Sequence, residues 1–323
     1  MCNYFFYKAI YKISNNVYYL ETPTPTPEEM FGTGGITKPD KPVQRVDTST
    51  YASLIGRYKD DNLPGPTTEL VRRDGEQEIR AYGVDHDLHS DTLQKLVEEI
   101  NTDPPDICFV ELFPSFLPLV YACPDQDTAF KTFGESGYIA WLANQKGISV
   151  RSWDNSLTER LEDGYRELGN DGVEALLGSF VCSGMIHVIT GEGEQHGFRA
   201  ERFMEAIKQA GIYQEVAAFF EKHGIVINED SIRNLFQKYA GKDIDSMTKE
   251  EVSRLFEPYG DGPINNANRV SNEPRDNHAI AEFLKAKAEG ARRITVLTGI
   301  DHTRLWQRPL EAMYPNELKK IAA

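Results

Sequence analysis

An α/β fold with a central, mainly parallel sheet is what this sequence predicts, on three observations. Four short apolar segments read as strands, helical text separates them, and from about residue 155 to 272 the text turns mostly helical. The strand candidates are Ile79 to Val84, Asp106 to Leu112, Ile148 to Trp153 and Arg293 to Thr298. The second and fourth are continuous apolar runs, the pattern of strands covered on both faces.

Helices fill the gaps. Thr92 to Asn101 carries Leu93, Leu96, Val97 and Ile100 at helical spacing, with Asp91 placed to cap it. Phe130 to Lys146 is a second candidate, ended by Gly147. Helical patterns then recur over Gly172 to Phe180, Ala200 to Ala210, Tyr213 to His223, Ser231 to Tyr239 and Thr248 to Glu257. Val181 to Thr190 reads either as a further strand or as a buried helix end, and Pro258 to Asn272 reads as loop. Asp276 to Ala288 resumes as helix, with Ala279, Ile280, Phe283 and Leu284 on its apolar face.

Ahead of this domain, residues 1–66 form an N-terminal arm or linker. Residues 1–20 alternate loosely, the run Thr22 to Pro27 repeats Thr-Pro, and Gly- and Pro-rich text follows to Pro66. The α/β domain is expected over 67–323, interrupted by the helical insertion at about 155–272.

The bulk numbers narrow the function classes. With 323 residues, 40% hydrophobic and 26% charged, the chain has ample material for a core. A net charge of −15 argues against an electrostatic grip on nucleic acid or on an anionic membrane. Cys2, Cys108, Cys123 and Cys182 show neither CxxC nor zinc-ribbon spacing, so free structural thiols in a reducing compartment are expected. No run approaches the roughly 20 apolar residues of a membrane span. The aromatic N-terminus lacks a cleavage site, so the expected location is cytoplasmic.

The feature that carries chemistry is a repeated tetrapeptide. Gly83-Val84-Asp85-His86 and Gly299-Ile300-Asp301-His302 each stand at the exit of a strand-like run, more than two hundred residues apart. In a parallel sheet, ligands bind beyond the carboxyl ends of the strands. His86, Glu111, Asp154 and His302 all fall there. Two imidazoles with one or two carboxylates can hold a divalent metal such as Mn, Co or Zn. Equally, one His can act as general base on water while Glu111 orients it. Gly83 and Gly299 suit either version, because a residue without Cβ allows a sharp turn and a close approach. Asp154 has a competing role as a helix cap, shared with Asn155 and Ser156. Glu111 follows an apolar run and needs a partner once buried. Arg275, at the head of the helix before the last strand, can neutralise a developing oxyanion, clamp a substrate carboxylate, or clamp Glu111.

His89 joins this site only if the loop after His86 turns into helix. His278 can face either way, His187 sits in an apolar segment, and His196 lies in a Gly- and Glu-rich loop. Asp243 and Asp245 mimic the start of a calcium loop, but Arg254 stands where its bidentate Glu belongs. No Walker motif, GxGxxG, GxSxG elbow or HExxH is present.

At Gly83, His86, Glu111, Arg275, Gly299 and His302, in that order, the chain resembles the TIKI/TraB/ChaN-like superfamily, which includes erythromycin esterase-like members. The resemblance covers roughly Ile79 to Trp153 and Asn272 to Leu310. It implies a hydrolase site at the sheet's carboxyl edge. By that likeness, His86, Glu111 and His302 would be metal or catalytic residues and Arg275 would stabilise charge. Metal-dependent peptidase-like activity, or esterase-like activity on a small-molecule ester, is what it suggests; haem or iron binding of the ChaN type is the alternative. Asp85 and Asp301, at the third motif position, depart from the family pattern and add negative charge that favours a cation.

Overall fold

The computed structural model describes residues 49–60, 62–84, 91–192, 199–209 and 211–317. Its centre is a sheet of six strands: β1 Glu69–Asp74, β2 Gln77–Val84, β3 Ile107–Val110, β4 Ser149–Ser152, β5 Arg293–Gly299 and the two-residue β6 Asn316–Glu317. The order across the sheet is β4-β3-β5-β2-β1-β6. Pairings β2–β5, β5–β3 and β3–β4 are parallel, whereas β1 runs antiparallel to β2 and to β6. The predicted α/β class and mainly parallel sheet are therefore what the chain builds.

Eleven helices are described alongside it: α1 Ser49–Ala52, α2 Asp91–Thr102, α3 Leu117–Tyr121, α4 Gln126–Gln145, α5 Leu157–Glu192, α6 Ala200–Gln209, α7 Tyr213–Lys222, α8 Glu229–Ala240, α9 Lys249–Phe256, α10 Pro263–Ala288 and α11 Ile300–Met313. Side chains alternate across the sheet, as a period of two requires. Tyr82, Val84, Cys108, Val110 and Leu297 face the core shared with α2, α4 and the helices of the insertion. Ile79, Ala81, Ile107, Phe109, Ile294 and Val296 face Ala279, Ile280 and Phe283 of α10 and Leu305, Trp306 and Leu310 of α11.

Local chemistry sets the element ends. Asp125 caps α4, accepting from Thr128 N–H at 2.6 Å. Reciprocal capping boxes open α8 (Asn228 with Ser231) and α9 (Thr248 with Glu251). Gly169, at φ 65° and ψ −168°, breaks the long α5, a conformation that favours glycine.

Two expectations need correction and one open alternative is decided. The stretch read as loop, Pro258 to Asn272, is helical from Pro263 onward, so α10 runs through to Ala288. Its asparagines have work to do outside the helix: Asn265 Nδ2 donates to the carbonyls of Arg254 and Glu257 at 2.7 and 2.8 Å, and Asn268 Nδ2 donates to Phe256. They satisfy the open carbonyl end of α9, which low intrinsic helix propensity cannot reveal. Second, of the two readings of Val181 to Thr190 the helical one holds: the segment belongs to α5. Third, β1 (ELVRRD) is a strand that its charged text concealed.

The arm packs on the domain before the Thr67 boundary is reached. Tyr58 is buried in the core beneath α11, Ile55 and Leu63 pack against it, and Gly56 N–H donates to Leu305 O at 3.0 Å. Residues 1–48 lie outside the described residues. Among the described residues, no helix is long and apolar enough to cross a membrane.

Candidate active site

The two motif strands are neighbours. In the parallel β2–β5 pair, Gly83 lies opposite Thr298 and Val84 opposite Gly299, so both motifs begin side by side at the same sheet edge. Gly83 is required by close packing. A Cβ there would sit 2.8 Å from Thr303 Cγ2, 2.9 Å from Thr67 O and 3.0 Å from Ile300 Cα. Gly299 caps α11 and delivers Asp301 and His302 to the helix's first turn.

Beside that turn lies a buried polar cluster drawn from four elements. Glu111 leaves the end of β3, and its Oε2 accepts the Gly299 N–H at 2.9 Å while Oε1 accepts from Arg275 Nη2 at 3.0 Å. Asp154 leaves the end of β4 and takes Arg275 in a bidentate fork, Nε to Oδ1 and Nη2 to Oδ2, both at 2.7 Å. Arg275 Nη1 donates to Asn272 Oδ1 at 3.0 Å, and Arg160 Nη2 reaches the same oxygen at 3.0 Å. Trp153 covers the guanidinium, with its ring centroid 5.1 Å from Arg275 Cζ. Asn272, Arg275 and Asp276 share one face of α10 through i, i+3 and i+4 spacing.

His302 forms the other half. Its Nδ1 lies 2.7 Å from Asp276 Oδ1, and Trp306 Nε1 donates to that same oxygen at 2.6 Å. The imidazole packs against two indoles, its centroid 5.1 Å from Trp153 and 5.3 Å from Trp306. Arg275, Asp276 and His302 are fully buried, and Glu111 and Asp154 are 3% exposed. Two buried atoms here have no hydrogen-bond partner, Asp276 Oδ2 and Thr298 Oγ1.

Of the residues singled out from sequence, the fold brings Gly83, Glu111, Asp154, Arg275, Gly299 and His302 to this edge. Asp85, His86, His89 and His196 lie outside the described residues. Asp301 turns toward Tyr259, whose hydroxyl donates to it at 3.0 Å. Tyr259 borders an open cleft of about 570 Å³ with Tyr58, Lys59, Asp60, Asp261 and Arg304. Asp154 is not the helix cap. Ser156 and Glu159 cap α5 reciprocally, through Ser156 N–H to Glu159 Oε2 at 2.9 Å and Glu159 N–H to Ser156 Oγ at 3.3 Å. His278 is half-buried on α10, His187 belongs to α5, and His223 stacks on Tyr165 with centroids 3.8 Å apart.

No family model, curated protein or solved structure matches the chain.

Sequence reading missed Asp276, Asn272, Arg160 and Trp306. For Asp276 a signal existed: it falls in phase with Ala279, Ile280 and Phe283, so the apolar face of α10 carries an acid into the core. A charged residue in that phase must find a partner.

The described donors do not assemble a metal site. Among the described residues no group of three or more His, Cys, Asp or Glu is placed to hold an ion. Both Glu111 oxygens are engaged, and the Arg275 guanidinium occupies the position between Glu111 and Asp154 that a cation would take.

Proposed function

We propose that this chain is a hydrolase of ester or peptide bonds, of the TIKI/TraB-like kind, which activates water at the carboxyl edge of its sheet. The observation that supports this reading most is the buried His302–Asp276 pair on the first turn of α11, set beside Glu111, Arg275 and Asp154. An imidazole with a carboxylate on one nitrogen is a proton carrier oriented for work at the other. The second imidazole of this reading is His86, two residues past the end of β2. Because β2 and β5 are adjacent and in register at Val84 and Gly299, the chain leaves both strands at one edge.

In this scheme His302 Nε2 takes a proton from water as the water oxygen bonds to the substrate carbonyl carbon. The proton passes to the leaving oxygen or nitrogen as its bond to that carbon breaks. Glu111 ties the end of β3 to the start of α11 through the Gly299 N–H, which sets the distance from the strand ends to His302. Arg275, spent on Glu111, Asp154 and Asn272, fixes that frame and is too engaged to serve a free oxyanion.

The test is a screen of activated esters and unstructured peptides with wild-type protein and His302→Asn. Alanine is a poor choice here, because removing a fully buried ring opens a cavity and strips a donor from Asp276. Asparagine keeps a donor where Nδ1 stands and removes Nε2. Turnover should fall by about 10²–10⁴-fold in the variant. Wild-type turnover equal to that of His302→Asn sinks the reading.

A further inference from the structure

We infer that Asp276 is a positioning residue that fixes His302 as the Nδ1–H tautomer and so makes Nε2 its basic nitrogen. The inference deepens the hydrolase reading in its kinetic arm, while its spectroscopic arm stands apart from any activity.

Asp276 Oδ1 has two close neighbours. Trp306 Nε1 can only donate, and it lies 2.6 Å from Asp276 Oδ1. His302 Nδ1 lies 2.7 Å from that same oxygen. An indole N–H aimed at Oδ1 holds it as an acceptor, so the short contact to His302 is made by Nδ1–H. The neutral ring then carries its lone pair on Nε2. Geometry thus assigns a proton that heavy-atom positions alone leave open.

The surroundings keep the assignment from relaxing. Asp276 is fully buried on α10 two turns ahead of Phe283, and Trp306 is fully buried on α11, one turn beyond His302. Trp306 is itself wedged by Trp153 at 5.1 Å and Phe283 at 5.4 Å, both near-perpendicular. The indole is therefore locked, and with it the acceptor oxygen. Rotating Asp276 would strand the Trp306 donor in the core. Asp276 Oδ2, which has no partner in the described structure, adds unspent acceptor capacity beside the ring.

The experiment is long-range ¹H–¹⁵N spectroscopy of full-length protein labelled at histidine nitrogens, at about pH 8, where an ordinary imidazole is neutral. The His302 signals are assigned by their absence in His302→Asn. Expected is one protonated Nδ1 and an unprotonated Nε2. Asp276→Ala should move the proton to Nε2, whereas Asp276→Asn, which retains an acceptor oxygen for both donors, should preserve the wild-type pattern. A wild-type ring protonated at Nε2, or at both nitrogens, overturns the proposal. So does an Asp276→Ala spectrum identical to wild type. If Asp276→Ala fails to fold, Trp306→Phe replaces it: the carboxylate should then hold Nδ1–H alone, and a proton shifted to Nε2 would assign the tautomer to the indole instead.

On an ester turned over by wild type, Asp276→Ala should lower kcat by about 10–100-fold and leave KM within about twofold, whereas Asp276→Asn, which keeps the tautomer, should restore most of the loss. Unchanged kcat in Asp276→Ala removes the positioning role even if the tautomer is as stated. Should no ester or peptide be hydrolysed at all, the hydrolase reading falls, and the spectra alone decide the tautomer.

Discussion

Two charge clusters flank the central strand β5, and they are built to different standards. On the α2 face, Glu99 Oε1 accepts from Thr295 Oγ1 at 2.5 Å, and Oε2 accepts from Tyr82 Oη at 2.5 Å and Arg80 Nη1 at 2.9 Å. Glu78 divides its oxygens between Arg73 and Arg80. Every carboxylate oxygen in this cluster has a donor. Burial, reinforced by Glu99, pushes the Tyr82 hydroxyl well above its usual range, so it stays a donor. At the carboxyl edge the cluster of Glu111, Arg275, Asp154, His302 and Asp276 is more deeply buried, yet Asp276 Oδ2 and Thr298 Oγ1 are unmatched. The lesson is one of saturation. A cluster with every acceptor filled cements a sheet; a deeper one with acceptors to spare holds capacity that stability alone does not use.

The largest blow to this contrast comes from Arg275→Ala. Two buried carboxylates, Glu111 and Asp154, would lose their shared cation, and denaturant unfolding should register a loss of about 3–5 kcal/mol. A loss under about 1 kcal/mol would mean that water reaches the cluster and that the edge is open. Next in size is Glu99→Gln, which leaves one acceptor for three donors and should cost about 1–3 kcal/mol. It should leave any hydrolytic kcat and KM untouched. A change in kcat there would erase the distinction between the clusters.

The smallest effect is read at Cys108, buried next to Glu99. Burial first, and then the Glu99 charge, raises its thiol to about 12. The folded thiol therefore keeps its proton where an unfolded one, near 9.0, gives it up. Stability from this group is intact below pH 9 and declines as pH rises above it, because the unfolded state then binds fewer protons. Iodoacetamide at pH 8 should label Cys108 only through unfolding, and Glu99→Gln should leave that protection in place. Rapid labelling of the native protein would contradict the closed α2 face.

How much of this could be read from sequence follows from where each interaction is made. The four parallel strands were legible because short apolar runs report burial on both faces. β1 was not: Arg72, Arg73 and Glu69 are the text of a strand paired near the sheet's margin. The start of α10 was illegible because Asn265 and Asn268 are there for α9's carbonyls, a tertiary reason. At the edge, Glu111, Asp154 and His302 were found from strand ends and a repeated motif, and Arg275 from its place on the helix before the last strand. What joins them was not, since Asp276 meets His302 across 26 residues and Arg275 meets Asp154 across 121. The ambiguity at Asp154 between cap and site was settled by Ser156 and Glu159, four atoms of local capping that sequence offered as only one of three choices.

The position of β5 carries a consequence for how the molecule comes into being. It lies between β2 and β3, yet about 180 residues of chain separate it from β3 and about 210 from β2. A ribosome that has already released β2 and β3 leaves a slot between them until Arg293 to Gly299 emerges, with unsatisfied edges on both sides. Assembly of the sheet thus waits for β5, and the buried cluster at its carboxyl edge, with Glu111 on the Gly299 N–H, comes together in the same event. A chain arrested before Arg293 would be left with gapped, sticky strands.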